Sequence, residues 1–243
     1  MNLVADIGNS FVKIGIFDGK ELVKLERAGA FSKDIAETLI SEFKITAAIV
    51  SSVSVDYDSV MEIFKGYKFP VFLLTASIQL PFKIGYGSPG TLGPDRIAGI
   101  AGAHNKFPGT NVLVVDAGTA ITYDLLLNNS NYPGGNISPG LYTRFRSLHY
   151  YTGRLPLVEP GKTTSELGND TESAIRTGVQ SGLIFEINEY IRRFETKYKD
   201  LEVIITGGDS FFLKEYFDFR FTFAPDLIIE GLNHILNYNV KNS

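Results

Sequence analysis

The chain contains no cysteine, which excludes a disulfide, a thiol nucleophile and a Cys-ligated zinc site, and fits a reducing compartment; the cytoplasm is the expected location. No apolar run approaches the ~18–20 residues of a membrane span, and the N-terminus enters a strand at Asn2–Ala5 without a basic leader, so no membrane partner is expected. Basic residues are dispersed and the net charge is −4, which leaves no electrostatic footprint for nucleic acid. Any anionic ligand has to be held locally. The three histidines, His104, His149 and His234, lie far apart without ligand spacing, so core or surface roles are expected rather than metal binding. No low-complexity segment or flexible linker divides the chain.

The 243 residues, 44% hydrophobic and 21% charged, suffice for one or two globular domains with a sizeable core. Their organising feature is a repeat. LVADIGNSFVKIGIFD near the N-terminus and VLVVDAGTAITYD at Val112–Asp124 both run from an apolar strand to an Asp, a Gly turn and a second strand. Asp6 aligns with Asp116, Gly8 with Gly118, Asn9 with Thr119 and Ser10 with Ala120, at a constant offset of 116 − 6 = 110. A structural duplication follows, with half-domains over 1–110 and 111–243.

The first half reads βββαβα followed by a further strand. Val12, Ile14 and Ile16 alternate, Asp18-Gly19 supplies a hairpin turn, and Val23 and Leu25 alternate after it. Ser32 caps a helix that places Ile35, Leu39 and Phe43 on one face. Thr75 to Asp95 is a Gly- and Pro-rich loop too long for a mere connection. Arg96–Lys106 is a helix rich in small residues, suited to close approach by another backbone. The second half restarts the opening pattern and adds helices over Leu141–Tyr151, Thr171 to about Tyr198 and Leu227–Asn237. The class is α/β.

An Asp at a strand end before a Gly turn suits a phosphate and metal site: outward amides cradle phosphate oxygens while the carboxylate holds a cation. A single such turn equally describes an Asp bonding its own backbone, whereas two in register favour nucleotide phosphate. Asp95 ends the long loop beside Arg96 at a helix start, suited to accept a proton from a substrate hydroxyl, or to act merely as a helix cap before a solvated base. Gly85–Gly90 spells G-x-G-x-x-G, but Pro89 prevents the helix a dinucleotide site needs, and Gly161-Lys162-Thr163 lacks the upstream Gly of a phosphate loop. Gly207-Gly208-Asp209-Ser210 reads as a plain turn.

The ordered set DIGNS (Asp6–Ser10), YGSPGTLGPDR (Tyr86–Arg96), DAGTAITYD (Asp116–Asp124), GGNISPGL (Gly134–Leu141), TGRLP (Thr152–Pro156) and NDTESAI (Asn169–Ile175) resembles the type III pantothenate kinases. The resemblance implies two duplicated ribonuclease H-like, actin-like ATPase half-domains, with mixed β-sheets flanked by helices and a cleft between them. It implies phosphorylation of pantothenate by ATP with magnesium and a monovalent cation, potassium or ammonium. In that family's pattern Asp6, Ile7, Gly8, Asn9, Ser10, Phe11, Val12 and Lys13 would hold ATP phosphates, with Asp6 near magnesium, directly or through water. Thr119 would contact ATP from the second half, and Asp116 would take the monovalent cation. Asp95 matches the general base, and Tyr86, Gly93, Pro94, Asp95, Arg96 and Thr171 match positions around pantothenate. A homodimer is implied, with the Arg96–Lys106 and Thr171 helices as candidate packing surfaces. Ser10 stands where the family usually has Thr but keeps the hydroxyl, and Pro94 fills a variable position. A nucleotide-binding regulator on the same fold, or a kinase of another small alcohol, remains an alternative.

Overall fold

A computed structural model describes residues 1–8, 11–53, 55–75, 77–163 and 165–242. It divides into two compact units, one made of Met1–Gly109, Leu126–Gly134 and Asp226–Ser243, the other of Thr110–Leu125 and Gly135–Pro225.

The first unit opens with β1 (Asn2–Ile7), β2 (Val12–Asp18), β3 (Glu21–Ala28), α1 (Lys33–Glu42), β4 (Ala47–Ser52), α2 (Tyr57–Ile63) and β5 (Val71–Leu73). Its sheet runs β3-β2-β1-β4-β5, antiparallel at β1/β2 and β2/β3 and parallel at β1/β4 and β4/β5. The alternation of Val12, Ile14 and Ile16 does what period two demands: all three are buried on one face, with Leu39 of α1 in the same core. Gly19 turns the hairpin at φ 60°, and the Ser32 hydroxyl caps α1 by accepting the Ile35 N–H at 3.3 Å.

The long loop contains β6 (Lys83–Ile84) and a 3-10 turn at Pro89–Thr91, then delivers α3 (Pro94–Lys106). Residues Arg96 to Ala103 of α3 are all buried. Its small residues are used within the unit, against α7 (Leu227–Asn242): a Cβ on Gly102 would strike Leu227, and one on Gly231 would strike the Ala98 carbonyl and the Gly102 amide. Asn2 ties β1 to α7 through Asn233 at 2.8 Å and Asn237 at 2.9 Å.

The second unit repeats the plan with β7 (Val112–Ala117), β8 (Ala120–Leu126), β10 (Gly134–Pro139), α4 (Leu141–Tyr151), α5 (Thr171–Lys197), β11 (Glu202–Thr206), α6 (Ser210–Leu213) and β12 (Thr222–Phe223). The sheet order β10-β8-β7-β11-β12 is the first sheet's order again, with β11 parallel to β7 and to β12. β9 (Asn131–Tyr132) leaves this set and pairs in parallel with β6. β10 was not expected from a Gly- and Pro-rich run; as an edge strand it tolerates Pro139.

Two of the three histidines meet in space. His104 and His234, 130 residues apart in sequence, stack across α3 and α7 with Nδ1 and Nε2 3.2 Å apart. Burial lowers both, His234 to about 4 with His104, Lys20 and Lys241 adding to it, so the pair is a neutral, half-buried contact. Among the described residues no helix is long and apolar enough to cross a membrane, and no group of three or more His, Cys, Asp or Glu could hold a metal ion.

Candidate active site

In the first unit, sheet register assembles the site. The parallel pairing of β1 and β4 sets Asp6 beside Ser51, and the antiparallel pairing of β1 and β2 sets Lys13 opposite Asp6. The turn between β1 and β2 closes where the Gly8 N–H donates to the Phe11 carbonyl at 3.2 Å. Ile7 and Val12 are buried in the core, so only their backbone is available to a ligand. Phe11 is 43% exposed, with the Arg27 guanidinium 5.8 Å from its ring. Lys13 Nζ lies 3.6 Å from Asp226 Oδ1. Asn9 and Ser10, both expected at the phosphates, lie outside the described residues.

Asp95 reaches the same place from α3. The helix begins at Pro94, where the missing N–H costs nothing, and Gly93 is its N-cap. A Cβ on Gly93 would strike Asp95 Oδ1, so glycine there leaves room for the carboxylate, which accepts the Arg96 N–H at 2.9 Å. Asp95 is therefore a first-turn residue rather than the cap. Burial pushes Asp6 up to about 6; the Ser51 hydroxyl opposes this, the Asp95 charge adds to it and Lys13 opposes it. A buried carboxyl raised by its surroundings, with the charge of a second carboxylate acting on it, fits a cation that would neutralise Asp6.

Arg96 is buried, contrary to the solvated first-turn alternative, and its guanidinium carbon lies 5.5 Å from the Tyr86 ring. Tyr86 in turn stacks on Tyr132 at 6.4 Å, the two rings 10° from parallel; the pairing of β6 with β9 sets Tyr132 beside Ile84, two residues before Tyr86. Gly134, at φ 133°, has the Tyr86 ring where its Cβ would be. Tyr86, Gly93, Pro94, Asp95 and Arg96 thus form one cluster at the start of α3. Tyr132, fully buried, was not foreseen: a two-residue strand carries no periodicity.

The second unit holds the remaining predicted residues. Asp116, in register with Thr206 on β11, precedes a tight turn in which the Gly118 N–H donates to the Ala120 carbonyl at 3.0 Å. The Thr119 carbonyl accepts the Gly140 N–H at 3.0 Å and the Thr143 hydroxyl at 2.7 Å, leaving the Thr119 side chain exposed. The GGDS segment, read as a plain turn, clasps this one: Gly207 sits at φ 90°, a Cβ there would strike the Asp116 carboxylate and the Ala117 carbonyl, and the Asp209 N–H donates to Ala117 at 2.8 Å. Burial raises the Asp209 carboxyl to about 6, opposed by the Leu141 backbone. Thr206 is fully buried and its hydroxyl has no hydrogen-bond partner among the described residues. A carboxylate beside an orphan hydroxyl fits a cation that prefers oxygen.

Thr171 opens α5, exposed, next to Asp170, whose carboxylate caps the helix by accepting the Ser173 N–H at 2.9 Å. A cavity of about 260 Å³ there is lined by Lys162, Asn169, Ser173 and Arg176 among others.

A family model described as type III pantothenate kinase matches residues 2–193. A type III pantothenate kinase from Bacteroides fragilis (strain YCH46) is 41% identical over 239 residues, covering 98% of each chain. One from Christiangramia forsetii is 42% identical over 244 residues, covering 98% of this chain and 99% of the relative. A Campylobacter jejuni structure, described as a conserved candidate Baf family transcriptional activator, superposes with a TM-score of 0.64 at 26% identity over 98% of this chain and 99% of that one. An activator of 2-hydroxyisocaproyl-CoA dehydratase from Clostridium difficile with bound ADPNP gives 0.57 at 11% identity over 99% and 96%. A glucokinase from an Antarctic psychrotroph gives 0.53 at 11% over 98% of each chain. The last two show a shared fold alone, the actin-like one.

Proposed function

The chain belongs to the type III pantothenate kinase family, and from that premise we propose that it transfers the γ-phosphoryl group of ATP to the primary hydroxyl of pantothenate. The product is 4'-phosphopantothenate, the first intermediate towards coenzyme A. Asp95 removes the hydroxyl proton; the freed oxygen pair attacks the γ-phosphorus, the bond to the β,γ-bridging oxygen breaks, and ADP leaves with that electron pair. The observation that supports this assignment is that Asp95, in the first turn of α3, lies near enough for its charge to act on Asp6.

The other roles follow from what each group offers. Backbone amides of the Asp6–Lys13 turn, the Lys13 ammonium and the Thr119 side chain hold ATP phosphates. The Arg96 guanidinium, 5.5 Å from the centre of the Tyr86 ring, suits the carboxylate of pantothenate, with Gly93, Pro94 and Thr171 completing its contacts. Asp6 would hold magnesium, directly or through water, and Asp116 would hold potassium or ammonium. When bound, the two cations neutralise phosphate charge during transfer. A homodimer is the proposed assembly, with no nucleic-acid or membrane partner.

The test is ADP release by purified protein with ATP, magnesium and potassium. Pantothenate-dependent release is expected, and its absence would remove the substrate assignment. Asp95→Asn should lower kcat by about 10²–10⁴-fold with little change in KM for pantothenate; normal turnover would remove the base. The description of the C. jejuni chain supports a second reading, a nucleotide-binding regulator. A net charge of −4 and the presence of Asp6, Asp95 and Asp116 favour the enzyme.

A further inference from the structure

Each unit carries the same device in the same place: a carboxylate near the end of the first strand of the unit, with a hydroxyl in register on its parallel neighbour. Asp6 pairs with Ser51, and Asp116 with Thr206. Side chains in register on neighbouring parallel strands point to the same face, so hydroxyl and carboxylate share one surface. In the first unit the hydroxyl acts on its carboxylate: Ser51 draws the Asp6 pKa down, although the pair falls outside hydrogen-bond geometry.

The second copy is the informative one. Thr206 is 0% exposed and its Oγ1 has no hydrogen-bond partner among the described residues. A buried hydroxyl left unsatisfied is costly, and valine would occupy the same space in a strand at no such cost, so the hydroxyl requires a reason. Gly207 supplies the direction. Its positive φ and missing Cβ bring the end of β11 against the Asp116 carboxylate, next to the threonine. Asp209, the acid of the GGDS segment, donates its N–H to the Ala117 carbonyl, and the Leu141 backbone acts on its carboxyl.

Resting on the reading of Asp116 as the monovalent-cation residue, we propose that Thr206 Oγ1 is a second, neutral oxygen ligand of that cation. The chemistry matches the charge. One carboxylate with uncharged hydroxyl and carbonyl oxygens balances a single positive charge, whereas a dedicated divalent site calls for further carboxylates. Among the described residues no group of three or more acids or histidines exists to make one. Ser51 stands in the same register beside Asp6 in the first unit.

The experiment is thermal melting of the whole chain with ADP and magnesium, while potassium replaces N-methylglucamine at constant ionic strength so that screening does not vary. The wild-type melting temperature is expected to rise with potassium. Thr206→Val should raise the half-saturating potassium concentration at least about tenfold, while melting no lower than wild type without potassium, because the orphan hydroxyl is gone. Thr206→Ser, which restores the donor, should follow wild type. A Thr206→Val curve superposing on wild type while Asp116→Ala is flat overturns the Thr206 assignment alone. Asp116→Ala superposing on wild type, or a wild type indifferent to potassium, overturns the Asp116 reading and this inference with it.

Discussion

Burial and the nearby Asp95 charge leave Asp6 easier to protonate in the native state, at about 6, than in the unfolded chain near 3.8. Below the lower value both states are neutral; above the higher one the native carboxylate is charged at a cost. Ligand-free stability contributed by this group is therefore full at low pH and lost as pH rises between those two values. Asp209 contributes with the same sign, its carboxyl also raised to about 6. Asp6→Asn should then stabilise the ligand-free protein at about pH 7.5, by on the order of 2 kcal/mol, and flatten part of this pH dependence. The same variant should lose both the stabilisation given by ADP with magnesium and turnover. Melting curves from about pH 4 to 8 provide the check; a variant less stable than wild type at the upper end would show that the native charge carries no cost. At this scale Asp6, Asp95 and Arg96 stood out as candidates through the duplicated turn and the ordered set of motifs, because each local pattern alone also fits a turn or a cap. Thr206 and Tyr132 were not, since each acquires its neighbour through a strand pairing that no local spacing encodes.

Among the elements, α3 begins with the proposed base, Asp95, and α7 packs directly against α3. Gly231 makes that contact possible: any Cβ meets the Ala98 carbonyl and the Gly102 amide, which are backbone and yield only if a helix moves. Gly231→Ala should cost about 3 kcal/mol of stability, the upper range for overpacking, and lower kcat along with it by displacing the start of α3. Chemical denaturation paired with kinetics tests this. Unchanged stability would mean that the helices separate freely, and unchanged kcat at reduced stability would uncouple α7 from Asp95. The sequence exposed the small residues of α3 but not their partner, because α7 lies more than 120 residues further along. Hairpin, caps and long helices were readable from period and capping residues. The two-residue strands β6, β9 and β12 and the edge strand β10 were not, having too few residues to show a period or glycines and prolines that mask it.

For the molecule as a whole, duplication explains both the likeness and the divergence of the halves. Strand order is the same in the two sheets, whereas positions 8–11 separate the first two strands of the first unit and only 118–119 separate those of the second. A longer turn offers more amides to an anion; the shorter one brings its Asp against the GGDS clasp. Divergence also marks the surface. The most exposed large apolar side chains, Ile137, Tyr150, Tyr151, Leu167 and Phe185, all belong to the second unit, at 65–81% exposure. On α5, Phe185 shares a face with the exposed Gly178 and Gly182, at i, i+4 and i+7, a surface that a second copy of the helix could approach closely. Scattered apolar residues are ordinary, but an aromatic beside two helix-interior glycines is costly for a wet face, since both glycines weaken α5 without packing against anything in the chain. A two-fold contact between copies accounts for it. Wild-type protein should sediment at twice 26.8 kDa, and Phe185→Asp should shift it to the single-chain mass by weakening association roughly 30-fold, as loss of a central aromatic anchor does. Because Phe185 is exposed within one chain, the variant should keep its circular dichroism and melting in the monomer. A wild type that sediments as a single chain at micromolar concentration would return this face to solvent and leave Gly182→Ala as a simple stabilising change of up to about 1 kcal/mol.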